Sequence, residues 1–194
     1  MLDDRVRAVL ARLEEEDERD QEAGLPRAEQ SLPVGADSGR LLFALVAPNA
    51  GCEVLEIGGS RGYSTIWLAS AARILGGRIV SLEQDPAKIE AWHRNIADAG
   101  LEEWAELVEG NARETLLAVG GSFDVVFIDA WKDDYEWYFT EARTKLEPGA
   151  VAVADNVDTS AVVQEYAKAR QADPTLVSVT VPIGNGLEVT TVLR

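Results

Sequence analysis

From Cys52 onward, short apolar runs and helix-length segments take turns along the chain, and this alternation constrains the fold more than any other feature. Apolar runs of strand length occupy 53–57, 78–82, 105–109, 123–128 and 150–154. Helical spacing fills 63–75, 86–99, a short stretch ending near Val119, 133–146 and 159–171. Gly76-Gly77 ends the first of these helices, while Pro86 suits the first turn of the second and Gly100 its end. Strands separated by helices of this length pair in parallel through crossovers, with helices on both faces. Two last runs, 175–181 and 187–193, flank Gly184-Asn185-Gly186 and predict an antiparallel hairpin at the sheet edge. The expected class is α/β, a doubly wound, mostly parallel seven-stranded sheet.

Upstream, 3–18 suits a charged helix, with Leu2, Val6, Val9, Leu10 and Leu13 as a narrow apolar stripe. Segment 21–35 reads as a loop through Gly24, Pro26, Pro33 and Gly35. Asp37 or Ser38 can cap a helix running through Val46. With no repeat and no linker, one domain is expected over 1–194, with an N-terminal helix and loop over 1–35 and a core over 36–194. The 34 acidic residues outweigh the 18 basic ones, for a net charge of −16, so the basic footprint that nucleic acid requires is missing. No segment reads as a signal peptide or is long enough to span a bilayer, and a cytoplasmic protein without a membrane partner is expected. The single cysteine, Cys52, precludes an internal disulfide and suits a buried apolar role. One histidine, His93, set mid-helix, leaves no inventory for a hydrolytic triad. Trp92, Trp104 and Trp137 read as packing residues or half-exposed helix residues.

Ligands of an open parallel sheet bind just past the carboxyl ends of its strands, so the residues there are the candidates for function. Val125-Val126-Phe127-Ile128 ends in Asp129, followed by Ala130, Trp131 and Lys132. The run 150–154 ends likewise in Asp155-Asn156. Two carboxylates and an amide oxygen are hard ligands for a divalent cation. A lysine beside such a cation is disfavoured in its charged form and becomes a candidate general base. The first strand and turn read Glu56-Ile57-Gly58-Gly59-Ser60-Arg61-Gly62-Tyr63-Ser64. A dinucleotide fingerprint needs glycine where Ser60 stands, and the pattern present is Glu-x-Gly-x-x-x-Gly. An acid at the strand end repels phosphate and suits a cationic ligand bearing an amino group. Glu83, followed by Gln84, closes the second strand.

The turn resembles motif I of class I S-adenosylmethionine-dependent methyltransferases. The stretch from Phe127 to Tyr135, with Ala154-Asp155-Asn156-Val157, resembles the cation-dependent O-methyltransferases, the group containing catechol and caffeoyl-CoA O-methyltransferases. The resemblance implies a Rossmann-like methyltransferase fold with S-adenosylmethionine on the first two strand ends. Gly58, Ser60 and Gly62 would form the turn, Glu56 would lie near the methionine amino group, and Tyr63 and Ser64 near its carboxylate. Val34 would close over the methionine part, Glu83 would take both ribose hydroxyls with Gln84 beside it, and Ala112-Arg113 would flank the adenine. Asp129 and Ala130 complete the implied cofactor set.

Asp129, Asp155 and Asn156 would hold Mg²⁺, or Ca²⁺ or Mn²⁺ in its place, and Lys132 would be the base. Trp131, Lys132 and Asn156 would face a small aromatic acceptor with vicinal hydroxyls. Homodimers occur in the family. Ala130 stands where catechol O-methyltransferase has a histidine near the adenine, and the segment between Asn156 and Ala161 is short where many relatives carry an insertion. No carboxylate can be placed to orient the second catechol hydroxyl, so the expected acceptor site is either open and permissive or built for something other than a simple catechol. Alone, each of these residues is ordinary: an aspartate after a strand caps a helix, and a lysine sits on the surface. Together they favour a cation-dependent O-methyltransferase over one with an amine or carboxylate acceptor, over a non-catalytic S-adenosylmethionine-binding protein, and over a nicotinamide dehydrogenase.

Overall fold

The computed structural model describes residues 2–25 and 33–194; Pro26, within the predicted loop, lies outside the described residues. The first helix, α1, runs Asp4–Glu22, its N-terminus capped by the Asp3 carboxylate accepting from the Val6 N–H. It buries Val6, Val9, Leu10 and Leu13, the predicted stripe. It continues four residues past the expected end at 18, because Glu, Arg and Gln are good helix formers and the Ala23 N–H closes the last turn on the Arg19 carbonyl. Helix α2, Ala36–Val46, starts from Gly35 at φ 81°, not from a cap at Asp37 or Ser38, and Ser38 is buried instead.

Seven strands follow: β1 (Glu53–Ile57), β2 (Arg78–Glu83), β3 (Ala105–Glu109), β4 (Phe123–Ile128), β5 (Leu146–Ala154), β6 (Leu176–Val181) and β7 (Leu187–Val192). Their order in the sheet is β3-β2-β1-β4-β5-β7-β6. Every pairing is parallel except the two made by β7, so the hairpin docks through its second strand and leaves β6 as the edge. The crossovers are α3 (Tyr63–Ala72), α4 (Pro86–Ala99), α5 (Ala112–Ala118), α6 (Tyr135–Arg143) and α7 (Ala161–Ala172).

Other predicted boundaries moved as well. The helix expected over 133–146 is a 3₁₀ turn at Lys132–Asp134 followed by α6, and Leu146 joins β5 because it pairs with Phe123. Residues Val157–Thr159 form another 3₁₀ turn, and α7 starts after the Ser160 hydroxyl, which accepts from the Val163 N–H. Residues 73–75 form a third such turn after α3.

Both faces of the sheet are buried, which is why its central strands are nearly continuous apolar runs. Val54, Ile79, Phe127 and Val153 pack under the layer formed by α1 to α4, and Leu55, Ile57, Val126 and Ile128 pack under α6 and α7. Each such aliphatic side chain taken from water contributes about 1.5–3 kcal/mol. Among the described residues, no helix is long and apolar enough to cross a membrane.

Candidate active site

The turn after β1 is pressed against its neighbours. Gly58 has φ 101°, and a Cβ there would lie 2.2 Å from the Asp129 carbonyl oxygen. A Cβ on Gly59 would lie 2.2 Å from the Ser81 Oγ. Both glycine N–H groups donate to the Leu82 carbonyl at 3.0 Å. Ser60 follows with a left-handed φ of 47°, a costly conformation for a non-glycine residue. It directs the Ser60 N–H onto Glu83 Oε2 at 2.8 Å. The other oxygen of Glu83 accepts from the N–H groups of Gln84 and Asp85 at 2.8 and 3.0 Å. Three backbone donors thus fix the Glu83 carboxylate at the end of β2. Gly62, at φ 90°, leads into α3, whose N-terminus faces this region with its positive end.

Glu56 lies beneath the turn, fully buried. Its Oε2 accepts from the Thr65 and Ser81 hydroxyls at 2.5 and 2.6 Å, and its Oε1 has no hydrogen-bond partner among the described residues. Burial pushes its pKa above the ordinary carboxylate value, against the hydroxyls of Ser64, Ser81 and Thr65.

At the ends of β4 and β5 five polar side chains converge. Lys132 Nζ donates to Asp129 Oδ1 at 2.7 Å and to the Tyr135 hydroxyl at 3.0 Å. Asn156 has φ 73°, which turns its side chain back so that Nδ2 donates to Asp129 Oδ1 at 3.1 Å. Asp155 is buried and accepts from the Asn156 N–H at 2.7 Å. Burial first, and then the charge of Asp129, pushes the Asp155 carboxyl up to about 7. Tyr135 is pushed well above the usual phenol value by its burial, with the charges of Asp129 and Asp155 adding to it.

Asp129, Asp155 and Asn156 could hold a divalent cation. The donors are two carboxylates and an amide whose rotation presents oxygen, a hard set suited to Mg²⁺ or Ca²⁺. The raised Asp155 marks an excess of buried negative charge that a cation would relieve. Among the described residues there is no cluster of three or more His, Cys, Asp or Glu.

A cavity of 470 Å³ joins the two halves. Of the cofactor candidates, Gly58, Ser60, Glu83, Gln84, Ala112, Asp129 and Ala130 line it. Trp131, Lys132, Asp155 and Asn156 line its other end. Val34, Tyr63 and Ser64 line a small pocket that shares Gly58, Ser60 and Asp129 with it. Glu56, Gly62 and Arg113 line neither. Arg113 instead pairs with Asp134 at 2.8 Å and lies over the Trp137 ring.

Asp17 and Gln21 of α1, Lys88 of α4, Tyr138 of α6 and Asn185 of the hairpin turn also reach the main cavity, and sequence reasoning missed all five. Only Asn185, held in a Gly-Asn-Gly turn, carried a local signal. Trp92, buried, donates to Thr65, while His93 is largely exposed beside Glu109, as its mid-helix place suggested.

The pattern of a methyltransferase domain family matches residues 55–157. The chain is 42% identical over 136 residues to catechol O-methyltransferase of Mycobacterium tuberculosis, a match covering 70% of this chain and 60% of that protein. The chain therefore spans less than two thirds of that relative's length. Its fold superposes on cofactor-bound Rv0187 from MTB with a TM-score of 0.81 and 32% identity, covering 98% of this chain and 90% of that one. It also superposes on the O-methyltransferase TomG of Streptomyces achromogenes, solved in complex with SAM, with a TM-score of 0.77 and 30% identity, covering 94% and 89% of the two chains.

Proposed function

Since the chain belongs to the S-adenosylmethionine-dependent O-methyltransferases of the catechol and caffeoyl-CoA type, we propose that it methylates one hydroxyl of a vicinal dihydroxy aromatic with the help of a divalent cation. The observation that carries this reading is the grouping of Lys132, Asp129, Asp155 and Asn156 in one cavity with the fixed Glu83 carboxylate. When bound, S-adenosylmethionine supplies an electrophilic methyl group, and the cation lowers the pKa of a coordinated hydroxyl.

The residues of the chain do the rest. Glu83 offers the two oxygens of one carboxylate to a ribose diol. The backbone at the start of α3 and the Ser64 hydroxyl receive the methionine carboxylate. Asp129, Asp155 and Asn156 would hold the cation, and Lys132 Nζ accepts the proton of the hydroxyl to be methylated. Trp131, 70% exposed at the cavity mouth, offers a flat wall to an aromatic ring. Holding donor and acceptor together supplies much of the acceleration.

A broader range of acceptors than simple catechols is favoured by one observation. Only the short 3₁₀ turn at Val157–Thr159 stands between Asn156 and α7, so little chain closes that side. The test is methyl transfer from S-adenosylmethionine to a panel of catechols with Mg²⁺ and then with EDTA. Turnover abolished by the chelator is the expected result; turnover that survives it would overturn the role of the cation, and none on any catechol would overturn the acceptor class.

A further inference from the structure

Lys132 holds two hydrogen bonds, to Asp129 and to Tyr135, and a cation on Asp129 would weaken the first of them. Asp129 Oδ1 is already shared between Lys132 Nζ at 2.7 Å and Asn156 Nδ2 at 3.1 Å. A cation drawing on that carboxylate competes with the ammonium for the same electron pairs, and like charges repel. The other partner is a neutral phenol, 3.0 Å from Nζ, with no such conflict. Its position is fixed. Tyr135 is the first residue of α6, is 0% exposed, and meets the Tyr166 ring edge-on at 5.9 Å. Lys132 sits three residues earlier on the 3₁₀ turn, so one turn of chain separates the amine from its anchor.

Resting on the reading of Lys132 as the base, we infer that Tyr135 is a positioning residue whose hydroxyl holds the Lys132 amine at the acceptor once Asp129 is engaged elsewhere. Tyr135→Phe removes that oxygen and keeps the ring and its packing. Losing one hydrogen bond to the neutral amine should lower kcat by up to about tenfold. Affinity for S-adenosylhomocysteine and the melting temperature should stay nearly unchanged. In the Lys132→Ala background the same substitution should cost nothing further, because the group it positions is gone. An equal fractional loss in both backgrounds, or full turnover of Tyr135→Phe, would overturn the role.

A second measurement needs neither cofactor nor cation. In the free protein, acetylation of Lys132 by an N-hydroxysuccinimide ester, mapped by peptide mass, should speed up several-fold in Tyr135→Phe relative to the exposed Lys168. Unchanged reactivity would overturn the contact itself. Lys132→Ala at full rate would identify the base assignment as the failing part, and the positioning role would fall with it whatever the acetylation showed.

Discussion

At the scale of single residues, the site depends on places where no other side chain fits. Gly58 combines φ 101° with a Cβ position 2.2 Å from the Asp129 carbonyl, so Gly58→Ala must displace either the cofactor turn or the strand end carrying Asp129. The expected cost is about 1–3 kcal/mol of stability together with a marked loss of S-adenosylhomocysteine affinity. Calorimetric titration beside a melting curve would check both; unchanged affinity would mean the turn does not touch the cofactor. The polar residues ending β1, β2, β4 and β5 were legible because the carboxyl end of a strand is a fixed place in a parallel sheet. Where Glu56 points was not. In a strand buried on both faces, polarity alone does not tell which neighbours a carboxylate meets, and here they are the Ser81 and Thr65 hydroxyls.

At the scale of elements, the β6–β7 hairpin is held by a polar cluster that no pattern announced. Glu188 is fully buried and accepts from Ser178 at 2.6 Å, Thr180 at 2.5 Å and Gln171 at 3.0 Å. Glu188→Ala leaves the Thr180 hydroxyl without its acceptor, while Ser178 and Gln171 keep Thr190 and Thr180 within reach. It should destabilise the protein by about 1–3 kcal/mol, whereas Glu188→Gln keeps an acceptor and should cost less. Urea unfolding of the two variants would check the order. Ahead of the hairpin, Asp173 is pushed down to about 2 by the Thr175 hydroxyl and N–H, with Arg143 adding to it. A depressed carboxylate contributes stability above its unfolded value of 3.8 and loses it as pH falls toward 2. The advantage of wild type over Asp173→Asn should therefore be full at pH 6 and vanish near pH 2. A gap that stayed constant across that range would exclude the ionised form as its source. Element boundaries were less legible than element types. The moves at 146 and 157–159 follow from strand pairing and from contacts with the hairpin turn, which are distant in sequence.

At the scale of the molecule, the doubly wound, mostly parallel class was legible because alternating strands and helices admit few topologies. The complete cavity was not. Asp17 and Gln21 come from a helix before the sheet and Lys88 from a crossover, and only the packed layers bring them to the strand ends. Binding anywhere in this cavity should stabilise the whole fold. At a hundred times its dissociation constant, S-adenosylhomocysteine should add about 2.7 kcal/mol and raise the melting temperature. NAD should leave it unchanged, and a comparable shift with NAD would contradict the reading of the Ser60 turn.

The hairpin turn is fastened on two sides. A Cβ on Gly184 would lie 2.8 Å from the Ser38 Oγ of α2. On the other side, the Gly186 and Asn185 carbonyls accept from the Val157 and Asp158 N–H groups at 3.1 and 2.8 Å. The hairpin therefore cannot peel from β5 without loosening the backbone next to Asp155 and Asn156. In hydrogen-exchange terms, the amides of the turn and those of 157–158 belong to one cooperative opening unit. A bound acceptor that steadies one would slow exchange in the other, and every transient breathing of that edge would briefly dismantle the floor on which the acceptor rests.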